Sequence, residues 1–188
     1  MKAEKLVLGL TGMPGSGKSV VVKVAKILGY DCVAMGDVVR EEAKVRGLEP
    51  TPENIGHVML QLRHMEGTGA IATRSIPRIE KTKTKKVIVD GIRSLPEVEE
   101  FKKHFQKFKL IAIHASPETR FKRLYHRRRG DDAPDWDVFY ERDMRELSVG
   151  LGGAIALAEY VIVNEGPVAV TKATIKAVLR KVEQKWTK

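Results

Sequence analysis

The chain has 188 residues, 43% of them hydrophobic, with 34 Lys and Arg against 24 Asp and Glu, and a formal charge of +10. That length supports one compact domain with a real core and is too short for two large ones. A single cysteine, Cys32, excludes an internal disulfide framework and a clustered-thiol metal site, and no apolar run approaches the roughly 18–20 residues that span a bilayer, so a soluble cytoplasmic chain without a membrane partner is expected.

The first element is the apolar run "KLVLGLT" (5–11), a strand, and "GMPGSGKS" (12–19) follows it at the start of a helical stretch at 17–28. Gly12, Gly17, Lys18 and Ser19 complete the pattern GxxxxGK[ST] in its required setting between strand and helix. Glycines let backbone N–H groups converge on phosphate oxygens, and the helix N-terminus adds partial positive charge. A lysine bridges to the outer phosphates, and a hydroxyl reaches Mg²⁺. Gly12, Pro14, Gly15, Ser16, Gly17, Lys18 and Ser19 are therefore expected to hold the phosphates of a nucleoside triphosphate, with Lys18 catalytic and Ser19 on the metal; ATP is the expected donor over GTP because no Asn-Lys-x-Asp guanine reader is present.

Further strands follow at "CVAMG" (32–36), "KVIVDG" (86–91), "KLIAIHA" (109–115) and "YVIVNEG" (160–166), most of them apolar without in/out alternation, as strands covered on both faces are. Helical stretches between and after them, at 37–46, 53–66, 69–81, 95–104, 117–128, 136–149 and 168–186, predict βα units around a parallel sheet. Two connections exceed ordinary crossover length: 37–85, and 127–159, which opens with the basic and then acidic "HRRRGDDAPDW". Asp90 ends a buried strand at the edge that faces the ligand crevice and is the expected metal-site acid, with a turn aspartate before Gly91 as the alternative. The five histidines, His57, His64, His104, His114 and His126, show no metal-ligand spacing and no paired nucleophile.

A phosphate loop alone is shared by GTPases, motor ATPases, helicases and small kinases, so the flanking segments must decide. "AMGDVVREEAKVRG" (34–47) resembles the segment of nucleoside monophosphate kinases in which a Gly-Asp pair opens a helix and an arginine grips the acceptor phosphate; these are Gly36, Asp37 and Arg40. "VIVDGIRSLPEVEEF" (87–101) is similar to their third strand and acceptor turn, with Arg93 in the arginine position. "SPETRFKRLYHRRRG" (116–130) is similar to the helix entering their mobile lid, whose arginines correspond to Arg123 and Arg127, and "VIVNEGPVAVTKATI" (161–175) to the last strand and the loop along the donor base, here Asn164 to Gly166. Arg142, in "YERDMREL", departs from the usual spacing. The overall resemblance is to archaeal adenylate kinase-related proteins and, more distantly, to dephospho-coenzyme A kinases. It implies an α/β/α P-loop NTPase fold with a five-stranded parallel sheet in the order 2-3-1-4-5, a helical acceptor-binding insert at about 37–85 and a short lid at about 127–136, in a single kinase domain. It also implies ATP as donor, Mg²⁺ as cofactor and small nucleotides as partners.

Phosphoryl transfer asks the protein for positioning and charge neutralisation more than for covalent chemistry, and arginine forks suit both. Lys18, Arg93 and Arg127 are the expected catalytic cations. Adenylate kinases carry a glutamine after the acceptor arginine where this chain has Glu97. An ionised glutamate accepts hydrogen bonds only, so Glu97 as a base reader would suit the N–H edges of guanine or cytosine rather than adenine; a helix-start acid is the alternative. The charge of +10 also fits a nucleic-acid-associated ATPase, although only 6% of the residues are aromatic and no RNA-binding signature is present. Transfer to a hydroxyl and a nucleotide switch without transfer are the remaining alternatives.

Overall fold

In this computed structural model, residues 4–127 and 135–186 are described. In chain order they form β1 (Leu6–Thr11), α1 (Lys18–Ile27), β2 (Asp31–Ala34), α2 (Met35–Val45), α3 (Pro52–Glu66), α4 (Ala70–Lys81), β3 (Lys86–Asp90), α5 (Leu95–His104), β4 (Phe108–His114), α6 (Pro117–Arg127), α7 (Trp136–Ser148), α8 (Leu151–Ala156), β5 (Tyr160–Val163) and α9 (Val168–Trp186). The five strands are parallel in the order β2-β3-β1-β4-β5, as expected, and β1 at the centre pairs Leu8 with Ile88 on one side and Lys109 on the other.

Side chains along β1 alternate between two cores, which is why the strand is apolar at nearly every position. Leu6, Leu8 and Leu10 pack with Val21 and Val24 of α1 and with Ile175 and Leu179 of α9. Val7 points the other way, into a cluster with Val89 of β3, Phe101 of α5 and Ile79 of α4. At about 1.5–3 kcal/mol for each fully buried aliphatic side chain, these two layers dominate the stability of the fold. No helix among the described residues is long and apolar enough to cross a membrane.

Three boundaries differ from the sequence reading. The second strand stops at Ala34, and Met35 and Gly36 begin α2, because Met35 is buried in the helical layer and not in the sheet. The last strand stops at Val163 and does not run to 166. Helix α8, with the sequence "LGGAIA", has six residues and two glycines and presents no periodicity that sequence could register. The expected lid at about 127–136 falls largely on residues 128–134, outside the described residues; Asp135 caps α7 by accepting from the Val138 amide at 2.9 Å.

Helices α2, α3 and α4 occupy the long connection after β2, and Arg74 of α4 ties them together, bonding Glu42 of α2 at 2.7 Å and Glu66 of α3 at 2.6 Å. On β2, Cys32 is a free thiol whose pKa is pushed up to about 11, first by burial and then by the nearby Asp90 carboxylate. Its thiolate population near pH 8 is then on the order of a hundredfold below that of an ordinary thiol, so alkylation by iodoacetamide is expected to be slower by about that factor. Labelling at the rate of free cysteine would contradict this placement.

Candidate active site

The glycine-rich loop emerges from the C-terminal end of β1 and turns into α1. Gly17, the last residue before the helix, has φ 109°, and a Cβ there would lie 2.3 Å from Nδ2 of Asn164, so both the backbone conformation and the close approach require glycine. Lys18 folds back to donate to the carbonyls of Gly12 at 2.5 Å and Met13 at 3.3 Å. Burial lowers its pKa to about 8, only partly opposed by Asp90, so an arriving phosphate meets an ammonium short of counter-charge.

That loop forms one wall of a cleft of about 430 Å³, which also takes in Asp90 to Arg93 after β3, Arg123 and Arg127 of α6, and Arg142 and Glu146 of α7. Burial raises the pKa of Asp90, against the pull of Lys18 and Arg93, and its Oδ1 has no hydrogen-bond partner among the described residues. Ser19 lines the same cleft. A hydroxyl and a buried, unpartnered carboxylate oxygen beside the phosphate loop fit a hard divalent cation. Arg123 donates to the Asn164 carbonyl at 2.9 Å and keeps a buried Nη1 without a partner among the described residues. Arg93 meets Glu146 at 3.1 Å.

The expected acceptor residues divide. Arg93 reaches the cleft. Gly36 and Asp37 lie on the first turn of α2 and Arg40 on the second, where Arg40 pairs with Asp37, and none of them lines it. Glu97 is not positioned as a base reader: it is 1% exposed, and its oxygens accept from Arg63 at 2.7 Å and from the Arg93 amide at 2.8 Å. Asn164 lines the cleft as expected of a donor-site residue, but its backbone groups are engaged within the protein. Its N–H donates to His114 at 2.8 Å and its carbonyl accepts from Arg123. Gly166 is exposed and lies outside the cleft lining, and Ser16 is buried beneath it.

Residues 11–139 match the AAA domain family. A UPF0200 protein of Methanocaldococcus jannaschii is 54% identical over 162 residues, covering 85% of this chain and 82% of that one. The chain belongs to the AAA domain family and, with that relative, to the UPF0200 proteins. In structure it is similar to a gluconokinase from Sinorhizobium meliloti (TM-score 0.59, 16% identity, 98% of each chain) and to a shikimate kinase from Acinetobacter baumannii (TM-score 0.59, 15% identity, 100% of this chain and 97% of that one). At such identities the likeness establishes the P-loop kinase fold.

Two supports of this AAA-domain phosphate loop escaped the sequence reading. Arg120 of α6 is buried in a two-pronged pair with Asp143 of α7, at 2.9 and 2.5 Å, beneath the ring of Phe139, and it also donates to the Pro14 carbonyl at 3.2 Å. The clamp fastens the loop to the helices on either side of 128–134. The Asn164 side chain, its Oδ1 held by Thr171 at 2.8 Å, donates to the Ser16 carbonyl at 2.8 Å from below. Arg120 belongs to no local motif, and Asn164 was expected at the donor base, not beneath the loop.

Proposed function

We propose that the protein is a Mg²⁺-dependent phosphotransferase that moves the terminal phosphate of ATP to a nucleoside monophosphate or a similar nucleotide-like acceptor. The observation that carries this reading is a single cleft in which the phosphate-loop lysine shares a wall with Arg93, Arg123, Arg127 and Arg142. One triphosphate does not need so many cations; a donor and a second anionic substrate brought together do. The P-loop kinase fold and the resemblance of the flanking segments to nucleoside monophosphate kinases support the same conclusion.

In this reading the loop amides and Lys18 hold the donor's outer phosphates, and Arg123 and Arg127 follow the transferred group. Arg93 turns from Glu146 to the acceptor phosphate. Ser19 and Asp90 are the residues that would hold Mg²⁺, whose charge offsets that of the phosphates. The acceptor phosphate is already anionic, so no general base is needed. Arg40 lies at the edge of the α2–α4 insert, and closure of that insert would bring it to the acceptor. The expected test is transfer from γ-labelled ATP to a panel of ribonucleoside and deoxyribonucleoside monophosphates and dephospho-coenzyme A. Label appearing in no acceptor would overturn the proposal.

One observation favours a second reading, transfer to a hydroxyl. The Glu146 side chain is 12% exposed, and its Oε2, in the cleft wall, has no partner among the described residues. A carboxylate there could take a hydroxyl proton during transfer. Glu146→Gln separates the two: loss of transfer by about 100-fold or more supports the hydroxyl acceptor. A change of only a few fold, from the loosened Arg93, supports the phosphate acceptor.

A further inference from the structure

A second cavity, of about 450 Å³, lies beside the cleft, between α3, the start of α5 and the turn joining α7 to α8. Its walls are mostly apolar, with Leu60, Leu95, Pro96 and Val149 among them. Two polar side chains in this lining are buried without satisfying themselves. Arg63 is a tenth exposed; its Nη2 is bound by Glu97, while Nε and Nη1 have no partner among the described residues. Ser94 stands at the N-cap of α5, where a serine hydroxyl normally bonds the helix amides, yet it makes no such bond and its Oγ is buried and unpartnered.

Orphaned buried donors are costly, and a site that keeps them is one whose ligand supplies the acceptors. Glu97 offsets the charge of Arg63, so the cavity suits a neutral group that accepts hydrogen bonds and has a flat apolar body. The cavity adjoins the reaction cleft along two strips of chain: Arg93 lines the cleft and Ser94 the cavity, Glu146 the cleft and Ser148 the cavity. A nucleotide with its reacting end at Arg93 would lay its other end here. We propose that this cavity is the acceptor's base subsite, in which Arg63, oriented by Glu97, and Ser94 donate to a nucleobase bearing a ring carbonyl, so that guanine, uracil or cytosine is bound in preference to adenine. This rests on the phosphotransferase reading for its acceptor. Adenine alone among the common bases has no carbonyl, and it sets an amino donor beside its ring acceptors, so one of the buried donors would stay unpaired.

The test is equilibrium binding of GMP, UMP, CMP and AMP to the full chain with its donor site saturated by a non-hydrolysable ATP analogue. At least one carbonyl-bearing nucleotide is expected to bind about tenfold or more tightly than AMP. Arg63→Met should erase that preference. Ser94→Ala removes a hydroxyl that bonds nothing in the protein, so it should fold normally and weaken the favoured nucleotide severalfold while leaving AMP unchanged. AMP binding as tightly as the other three, binding of none of the four, or a preference that survives both substitutions would overturn the subsite. Selective binding without phosphate transfer would overturn the phosphotransferase reading and leave the subsite standing; transfer without base preference would do the reverse.

Discussion

Replacing Lys18 with alanine is expected to lower phosphate transfer by about three orders of magnitude while leaving the fold intact. Among the described residues the ammonium forms no ion pair and donates to the carbonyls of Gly12 and Met13; its removal takes one of two cations, with Arg93, from the field around Asp90, which burial already disposes to stay protonated. What disappears is a preorganised cation held with little solvent around it, the setting in which electrostatic stabilisation of a transferring phosphoryl group is strongest. The depressed pKa has the same origin, and binding of phosphate should raise it again. Lys18→Arg keeps the charge but not the compact ammonium, and it should recover little. Thermal unfolding of Lys18→Ala close to that of the native chain, together with lost transfer, is the expected pair of results, since a desolvated ammonium costs the fold about as much as its two carbonyl bonds return. Transfer within tenfold of the native rate would remove Lys18 from the chemistry.

The second large effect is on stability. Asp143→Ala should cost about 3–5 kcal/mol, because it leaves the Arg120 guanidinium buried and uncompensated. Both side chains are under a tenth exposed. For a chain of this length the melting temperature should fall by about 10 °C or more. The loss should also reach function, since Arg120 holds the Pro14 carbonyl of the phosphate loop. Replacing both partners together, Arg120→Met with Asp143→Leu, should recover much of the stability because apolar groups of similar size need no partner, but not the hold on the loop. Calorimetry of the single and double variants checks this. A single variant that melts with the native protein would show that the pair carries no stabilising load.

The phosphate loop and the sheet were legible because their signals are local. GxxxxGK[ST] is a contiguous pattern, and "KLVLGLT" and "VIVD" are apolar on both faces because they feed two cores at once. The wiring around the loop was not legible. Arg63 finds Glu97 across 34 positions, Arg120 finds Asp143 across 23, and Asn164 reaches Ser16 across 148. No spacing rule covers such pairs. Glu97 is instructive: sequence marked it correctly as a departure from the kinase pattern and as an acceptor of hydrogen bonds, and what it accepts is the protein's own arginine and amide. Arg93, placed by resemblance three residues beyond the end of β3, lines the cleft, whereas Arg40, placed in the same way, stands in the second turn of α2 outside the lining and pairs with Asp37.

The central claim is that the cleft transfers phosphate to an acceptor rather than to water. The most direct measurement follows the label from γ-labelled ATP in the presence and absence of a mixture of nucleoside monophosphates, with Lys18→Ala as the blank. The account predicts label in a nucleotide product, exceeding label released as inorganic phosphate by about tenfold or more, as water exclusion in a closed cleft requires. Label found only in inorganic phosphate, at a rate the mixture does not change, would contradict it.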